Sequence, residues 1–244
     1  MKSCNVYENN SMKEVLGETL RPGGYSLTEK GVRFCKFKPE DTVLDLGCGM
    51  GATVGYLYVR HRIKAVGLDP SEKLIGLARE QYKFADFVIG AGENIPFEKD
   101  SFNGVFAECT LSLMEDLEAT LKEISRVLKK GGWLVITDVY AKKPGLLKEL
   151  NGIPFNSCMR SMHDLELLKE QLKELGFCIM LLEDHSDLLR SLMAQIVFSY
   201  GSMNAFWSKT TGNCAVSCRF QEILKACKPG YFLMIARKGD AAYE

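Results

Sequence analysis

The stretch Val43-Leu44-Asp45-Leu46-Gly47-Cys48-Gly49-Met50-Gly51 decides the fold. Its first four residues form a short apolar run that is typical of a buried β-strand. Three glycines at alternate positions follow at once, and a helical pattern begins directly after them. Glycines permit a tight turn and a close approach of ligand to backbone, and the start of a helix offers free N–H groups. The stretch therefore predicts a strand–turn–helix unit that carries a ligand-binding site.

Two acidic residues narrow the choice of ligand. Asp45 lies beside the glycine turn, where a carboxylate repels a pyrophosphate but suits an ammonium or sulfonium group. Asp69 ends the next predicted strand, where an acid can accept hydrogen bonds from both hydroxyls of a ribose. S-adenosylmethionine fits this combination. Because Gly47-x-Gly49-x-x-Ala52 also matches a dinucleotide fingerprint, a nucleotide-dependent oxidoreductase on the same sheet remains an alternative.

Seven strand-like runs alternate with helical periods along the chain. Such alternation predicts βαβ units, so we expect an α/β, Rossmann-like, doubly wound sheet of seven mainly parallel strands with helices on both faces. Gly131-Gly132 and Gly176 are predicted to end helices directly before a strand. The predicted strands are Thr42–Leu46, Lys64–Asp69, Phe87–Ile89, Gly104–Glu108, Trp133–Tyr140, Phe177–Glu183 and Tyr231–Arg237.

One domain is expected to span residues 1–244. Residues 1–40 are predicted to pack as a helical lid over the cofactor crevice, and residues 41–140 form the cofactor-binding core. Residues 141–244 hold the substrate-side strands. Between the last two strands, residues from about 185 to 228 are longer than a hairpin requires, so we expect a helical cap that roofs the active site over a small, partly apolar acceptor.

Composition excludes several classes of protein. Apolar residues make up 46% and charged residues 25% of the chain, which is ordinary globular usage. The 31 basic and 31 acidic residues give no net charge, which disfavours a whole-domain basic face for nucleic acid. No run approaches the ~20 apolar residues of a membrane span. The polar residues 1–14 predict no signal peptide, so we expect a cytoplasmic protein.

Nine cysteines are many for a chain of this length, and their number is odd. Without a secretion signal they are expected to be reduced thiols, and their spacing predicts no metal site of the zinc type. Cys35 and Cys178 adjoin apolar runs and are expected in the core. Cys158, Cys214 and Cys218 belong to less apolar stretches, where converging thiols would hold a soft metalloid such as arsenite.

Four segments resemble class I S-adenosylmethionine-dependent methyltransferases. Asp45–Gly51 resembles their first motif, and Gly67–Ser71 resembles the strand end that binds ribose. Gly92–Phe97 is similar to the segment before their fourth strand, and Glu123–Gly132 to the helix that leads into their fifth. The closest likeness is to the small-molecule group that includes ubiquinone/menaquinone and arsenite methyltransferases. It covers about residues 40–140 and leaves the substrate open.

The resemblance implies S-adenosylmethionine as cofactor and a small-molecule methyl acceptor. Where family members often carry an acid that binds the adenine amino group, this chain has Ala91, so adenine binding falls to Gly92, Glu93 or Asn94. The turn Arg21–Tyr25 is expected to close over the cofactor, with Tyr25 against the methionine end. The expected cofactor-binding residues are Tyr25, Asp45, Gly47, Cys48, Gly49, Gly51, Asp69, Pro70, Gly92, Glu93, Asn94, Glu108 and Cys109.

Glu108 and Tyr140 are the candidate catalytic residues. Glu108 ends the fourth predicted strand, where donor and acceptor meet, and it either steers a ligand or caps the next helix. Tyr140 is a candidate hydrogen-bond donor or general base, although a phenol of ordinary pKa ~10 needs help in that role. A non-catalytic cofactor sensor remains a further alternative. His163 and His185 are expected to be surface or packing residues.

Overall fold

The computed structural model describes residues 4–5, 17–19, 21–150, 155–210 and 218–239. Seven strands form one sheet, and each coincides with a run predicted from the sequence. We number them in chain order as β1 (Thr42–Leu46), β2 (Lys64–Asp69), β3 (Asp86–Ile89), β4 (Phe102–Glu108), β5 (Leu128–Ala141), β6 (Phe177–Asp184) and β7 (Pro229–Lys238). Cys4–Asn5 also pairs in parallel with Phe155–Asn156.

The spatial order of the strands is β3-β2-β1-β4-β5-β7-β6. β1 pairs in parallel with both β2 and β4. Successive strands are therefore added on one side of β1 up to β3 and on its other side from β4 onward, so the strand order reverses at β1. β7 lies antiparallel between β5 and β6. The mainly parallel α/β sheet predicted from the sequence is therefore confirmed, with β7 as its antiparallel member. A ligand crevice is expected at the carboxyl end of β1 because the order reverses there.

Eight α-helices accompany the sheet within the described residues. They are α1 (Ser26–Cys35), α2 (Ala52–His61), α3 (Glu72–Gln81), α4 (Leu117–Val127), α5 (Leu165–Glu174), α6 (Ser186–Tyr200), α7 (Met203–Thr210) and α8 (Cys218–Cys227). Asp116 and Asp164 cap α4 and α5 by accepting from backbone N–H groups of the first turn. No described helix is both long and apolar enough to cross a membrane.

The inner strands are buried on both faces, and their alternate side chains enter two separate apolar clusters. Val105 and Leu134 point into the cluster that also contains residues of α4 and α5. Phe106 and Val135 point into the opposite cluster, with residues of α1, α2, α3, α6 and α8. The period of two along β4 and β5 thus places one helical layer on each face.

The segments predicted as a lid and a cap both pack on one face of the sheet, and their covering roles stay predictions. Gly31 brings α1 against Val135 and Phe106 on that face. α6 likewise buries Leu189 and Ile196 in the same apolar cluster as the β7 residues. An amphipathic pattern predicts that one helix face is buried but does not say against which element it packs.

The predictions for Gly131 and Cys178 were wrong. Gly131, with φ +71°, lies inside β5 rather than at a helix end, because α4 passes directly into the strand at Leu128. Gly176, with φ +79°, follows α5 as predicted. Cys178 is exposed on the edge strand β6, where alternate side chains face outward.

Candidate active site

A cavity of about 400 Å³ opens at the carboxyl ends of β1, β2 and β4. This volume is in the range of small-molecule and cofactor sites. Its wall combines the glycine turn after β1 with the segments that follow β2, β3 and β4. Residues before α1 complete it, since Thr19 and Arg21 also line the cavity.

The glycine turn depends on glycine for two different reasons. Gly47 has φ +70°, and a Cβ there would lie 1.9 Å from Thr110 Oγ1. Gly49 has φ +53°, but no atom lies within 4 Å of the position where its Cβ would be. Gly47 is therefore required for packing against the turn after β4, whereas Gly49 leaves its backbone open to the cavity.

Asp69 ends β2 and holds the turn in place. Its Oδ2 accepts from the backbone N–H of Gly49 at 2.9 Å, and its Oδ1 accepts from that of Ser71 at 2.8 Å. A carboxylate oxygen has more than one acceptor direction, so these bonds leave capacity for ligand hydroxyls. Asp69 lines the cavity beside Pro70, as a ribose-binding acid would.

Asp45 is a buried carboxylate at the wall of the cavity. It is 3% exposed, and its Oδ2 has no hydrogen-bond partner among the described residues. Burial raises the pKa of Asp45 well above its ordinary value, and the nearby Glu108 carboxylate raises it further, while Arg21 acts in the opposite direction. Because Asp45 lines the cavity, a cationic ligand group would supply the missing partner.

Glu108 is the centre of a buried polar network. Its Oε1 accepts from Thr28 Oγ1 at 2.8 Å, and its Oε2 accepts from Thr53 Oγ1 at 2.7 Å. Arg21 Nη2 lies 3.0 Å from Oε2 and donates to Thr28 Oγ1 at 2.7 Å. Burial is the largest single effect and lowers the pKa of Arg21, but Glu108 and other neighbouring groups together outweigh it, so the pKa is raised on balance. The network joins α1, α2 and β4 at the wall of the cavity.

The far rim of the cavity is closed by Glu93. Its Oε1 accepts from the backbone N–H groups of Glu115 at 2.9 Å and Asp116 at 3.3 Å. Met114 lies against Gly92, where a Cβ would be 2.8 Å from the Met114 sulfur. Glu93 therefore fastens the loop after β4 to the segment after β3.

Most of the predicted cofactor-binding residues meet in this cavity, but three do not line it. Tyr25 stacks on Tyr56 with ring centroids 4.4 Å apart, and Asn94 is exposed in a turn. Gly51 packs against Phe87, where a Cβ would be 2.6 Å from the ring. The predicted residues that line the cavity are Asp45, Gly47, Cys48, Gly49, Asp69, Pro70, Gly92, Glu93, Glu108 and Cys109.

Of the two candidate catalytic residues, Glu108 lines the cavity and Tyr140 does not. The Tyr140 ring fills the space left by Gly230 and meets Phe232 edge to face. The polar residues of the cavity that were not predicted as site residues are Thr19, Arg21, Thr53, Thr110 and Glu115. Arg21 belongs to the turn that was expected to close over the cofactor, and the residue types of the others alone carry no ligand pattern.

His163 lies at the same edge of the sheet as the cavity and is buried. Its backbone pairs beside Tyr140, and its Nε2 lies 3.3 Å from Asp138 Oδ2. Asp138 is fully buried and also accepts from Ser112 Oγ at 2.7 Å. Of the two predicted roles, surface or packing, the burial of His163 fits packing.

The cysteine predictions are tested only in part. The described cysteines whose state is defined are free thiols, namely Cys35, Cys48, Cys109, Cys158, Cys178 and Cys227. Across the described ranges, no three His, Cys, Asp or Glu side chains are arranged to hold a metal ion. Cys214 and the side chain of Cys218 lie outside the described residues, so the predicted convergence of three thiols stays a prediction.

A comparison with known protein families agrees with a cofactor-binding role for this cavity. Residues 44–136 match the family model described as a methyltransferase domain. Residues 44–136 therefore carry a methyltransferase domain of the class I S-adenosylmethionine-dependent type. S-adenosylmethionine is accordingly its cofactor, and the resemblance seen in the sequence is confirmed.

The curated relatives extend beyond this domain. The chain is 27% identical to phosphoethanolamine N-methyltransferase 1 of Zea mays over 70% of its own length and 35% of that protein. It is 31% identical to demethylmenaquinone methyltransferase of Chlorobaculum tepidum over 49% of its length and 50% of the relative. The chain thus spans about a third of the length of the phosphoethanolamine methyltransferases that it matches.

Solved structures share the fold at lower identity. The phosphoethanolamine N-methyltransferase 2 of Haemonchus contortus, in complex with S-adenosylmethionine, has a TM-score of 0.75 at 18% identity, over 95% of this chain and 56% of that one. The cyclase SpnF has a TM-score of 0.77 at 22% identity, over 96% and 93% of the two chains. Because a cyclase shares it, the fold alone does not define the reaction.

Proposed function

We propose that this protein transfers a methyl group from S-adenosylmethionine to a small-molecule acceptor. The observation that carries the proposal is Asp45, a buried carboxylate that lines a cavity of cofactor size and whose Oδ2 has no hydrogen-bond partner within the described part of the chain. An α-ammonium group there would satisfy a group that the protein leaves unmatched. Asp69 and the backbone at Gly49 then fit a ribose, and the rim closed by Glu93 fits an adenine.

The residues of the chain have binding and positioning roles in this proposal. The bound cofactor supplies an electrophilic methyl group, so the protein mainly aligns an acceptor with it and excludes water. Both carboxylate oxygens of Glu108 already accept hydrogen bonds. We therefore assign Glu108 a positioning role, in which it anchors Arg21, Thr28 and Thr53 at the wall of the cavity.

We place the acceptor next to Cys109 and Thr110, where the turn after β4 lines the cavity. Tyr140 lies at the same edge of the sheet but outside the cavity lining, and it stays our candidate for exchanging a proton with an acceptor. The phosphoethanolamine methyltransferases support a small polar acceptor, and the demethylmenaquinone methyltransferase supports an aromatic one.

The finer predictions about domain organisation and location belong to the same proposal. α6 supports the cavity indirectly, because Leu188 packs against Gly23 in the turn that follows Arg21. We propose that residues from about 185 to 228, starting with α6, form the part of the cavity that holds the methyl acceptor. The free thiols among the described cysteines support a reducing compartment such as the cytoplasm.

A two-stage experiment tests the function. Calorimetry first measures binding of S-adenosylmethionine, S-adenosylhomocysteine and NAD to the whole chain. A panel of small amines, phenols, quinols and arsenite is then incubated with S-adenosylmethionine, and products one methyl group heavier are sought by mass spectrometry. We expect binding of both S-adenosyl compounds and methylation of at least one acceptor class. Preferential binding of NAD would overturn the proposal, and tight cofactor binding without turnover across the panel would favour the sensor alternative.

A further inference from the structure

Cys109 is a thiol in a strained backbone position at the wall of the cavity. It follows β4 directly and has φ +55°, a left-handed conformation that residues with a Cβ seldom adopt. Its backbone N–H donates to the Thr137 carbonyl at 2.6 Å, and its Sγ lies 3.2 Å from the Tyr231 hydroxyl. Tyr231 is fully buried and donates in turn to Thr137 Oγ1 at 3.1 Å. Strain of this kind persists only where the surroundings enforce it, and it is frequent at functional sites.

A second thiol lies beside the same turn. Cys158 begins the short helical turn Cys158–Arg160. Cα atoms of this turn come within 8 Å of those of Leu111–Leu113, the turn that follows Cys109. Cys158 packs against the apolar cluster that contains Cys109, and the two thiols interact electrostatically. The fold therefore brings two thiols from distant parts of the sequence to one side of the cavity.

The two thiols differ in accessibility. Cys158 is partly exposed, whereas Cys109 is buried. Burial raises the pKa of the Cys109 thiol well above its ordinary value, and Asp138 and Cys158 raise it further. A buried thiol of this kind is inert toward reagents in solution. A small disulfide in solution therefore meets Cys158 first, and Cys109 reacts only through Cys158.

We propose that Cys109 and Cys158 are a reversible oxidation site, at which a low-molecular-weight disulfide such as glutathione disulfide links the two residues and thereby weakens cofactor binding. In the first step Cys158, as its thiolate, attacks the reagent, forms a mixed disulfide and releases one glutathione. Cys109 then attacks the Cys158 sulfur and releases the second glutathione. Each released thiolate takes up the proton that the attacking cysteine gave to the solvent. Two protein thiols are thus oxidised while one disulfide is reduced to two thiols.

The link to the cofactor runs through Thr110, which follows Cys109 directly. Thr110 packs so closely on the glycine turn that a Cβ at Gly47 would lie 1.9 Å from its Oγ1. A disulfide brings its two sulfur atoms to about 2 Å, so the Cys109 side chain must turn from Tyr231 toward Cys158. This shift displaces Thr110 and with it the glycine turn, both of which line the cavity.

A role for both thiols as packing residues alone is the competing explanation. In that case forced oxidation links no particular pair and has no fixed relation to the cofactor. The two explanations differ in a thermodynamic respect. If the disulfide weakens cofactor binding by some factor, the bound cofactor must disfavour the disulfide by the same factor.

The test equilibrates the whole chain in glutathione buffers of increasing oxidised fraction, with and without saturating S-adenosylhomocysteine. Alkylation followed by peptide mass spectrometry identifies the linked cysteines, and calorimetry gives the affinity of the reduced and the oxidised protein for S-adenosylhomocysteine. We expect a mixed disulfide at Cys158 and then Cys109–Cys158 as the first intramolecular disulfide. Oxidation should weaken binding at least about fivefold, and the ligand should shift the disulfide equilibrium by the same factor.

Variants then assign the response to the pair. Cys158→Ser should bind S-adenosylhomocysteine within about threefold of the reduced wild type, and oxidised glutathione should leave that affinity unchanged. Cys158→Ala serves the same purpose if the serine variant does not fold. Cys178→Ser is the matched control, because Cys178 is exposed on the edge strand β6 and does not line the cavity. It should respond to oxidation as the wild type does.

Several outcomes would overturn the inference. One is the absence of a Cys109–Cys158 link at every glutathione ratio, or a different pair that forms first. Another is a link that leaves the affinity for S-adenosylhomocysteine unchanged, and a third is a response to oxidation that persists in Cys158→Ser. The readout by cofactor affinity rests on the proposed function, whereas the peptide map does not. A reduced wild type that binds no S-adenosylhomocysteine would therefore contradict the proposed function and the effect on the cofactor, and the map would decide on the oxidation site by itself.

Discussion

Replacing Asp45 by asparagine should stabilise the ligand-free protein and weaken cofactor binding. Burial and the neighbouring Glu108 raise the pKa of Asp45 in the folded protein. A carboxyl group whose pKa is raised by folding contributes stability below its unfolded pKa, and that contribution is lost as the pH rises through the folded pKa. The variant should therefore gain stability over the wild type with increasing pH, and the two should converge under acidic conditions.

The magnitudes follow from the missing partner. An unmatched buried polar group costs roughly 1–3 kcal/mol, and each kcal/mol shifts the melting temperature of a chain of this size by about 2–4 °C. At pH 8 we therefore expect a gain of roughly 2–12 °C without ligand. The same change removes a charge-assisted contact to the α-ammonium, so S-adenosylhomocysteine should bind roughly 10- to 100-fold more weakly.

The assay is thermal unfolding at pH 5 and pH 8 without ligand, combined with calorimetry of S-adenosylhomocysteine binding across the same range. Binding requires ionised Asp45, so wild-type affinity should strengthen as the pH rises, whereas that of Asp45→Asn should not change through this group. Asp86→Asn, at an exposed position of β3, is the control and should alter neither quantity. A lower melting temperature of Asp45→Asn at pH 8, together with unchanged affinity, would refute the reasoning.

Three further predictions concern the turn, the ribose contact and the thiols. Asp69→Ala should weaken S-adenosylhomocysteine at least about tenfold by calorimetry, and unchanged affinity in a folded variant would remove Asp69 from the site. Gly47→Ala should lower the melting temperature, because its Cβ would clash with Thr110, whereas Gly49→Ala should mainly impair ligand binding; the reverse pattern would contradict these roles. All nine cysteines should react with a thiol reagent after denaturation without reductant, and a smaller number would indicate a disulfide.

The strands were predictable because the parallel sheet is buried on both faces. Each inner strand then appears in the sequence as a near-continuous apolar run, as in Val43–Leu46 and Gly104–Ala107. The glycine turn and Asp69 were predictable for a related reason, since ligand chemistry demands particular residue types at a strand end. Local pattern and function agree at these positions.

The buried network around Arg21 could not be predicted in the same way. Arg21 contacts Thr28 and Glu108, and Thr53 donates to the same Glu108 carboxylate. Thr28, Thr53 and Glu108 lie on different elements that only the folded sheet brings together. A single arginine in a glycine-containing turn carries no pattern that distinguishes a buried ion pair from an exposed loop. Tyr25, the aromatic residue of that turn, was the more conspicuous candidate, but it stacks on Tyr56 instead.

The topology of the sheet explains why so much negative charge is concentrated at the site. β1 lies between β2 and β4, so the acids at or near their carboxyl ends, Asp45, Asp69 and Glu108, meet at one edge. Arg21 pairs with Glu108, but burial and the carboxylates of Glu108 and Asp69 still keep the pKa of Asp45 raised. A cationic ligand relieves this repulsion on binding, so the ligand-free site gives up stability that the bound cofactor restores. We expect the chain to be more stable with its cofactor than without it for this electrostatic reason, in addition to any apolar contact.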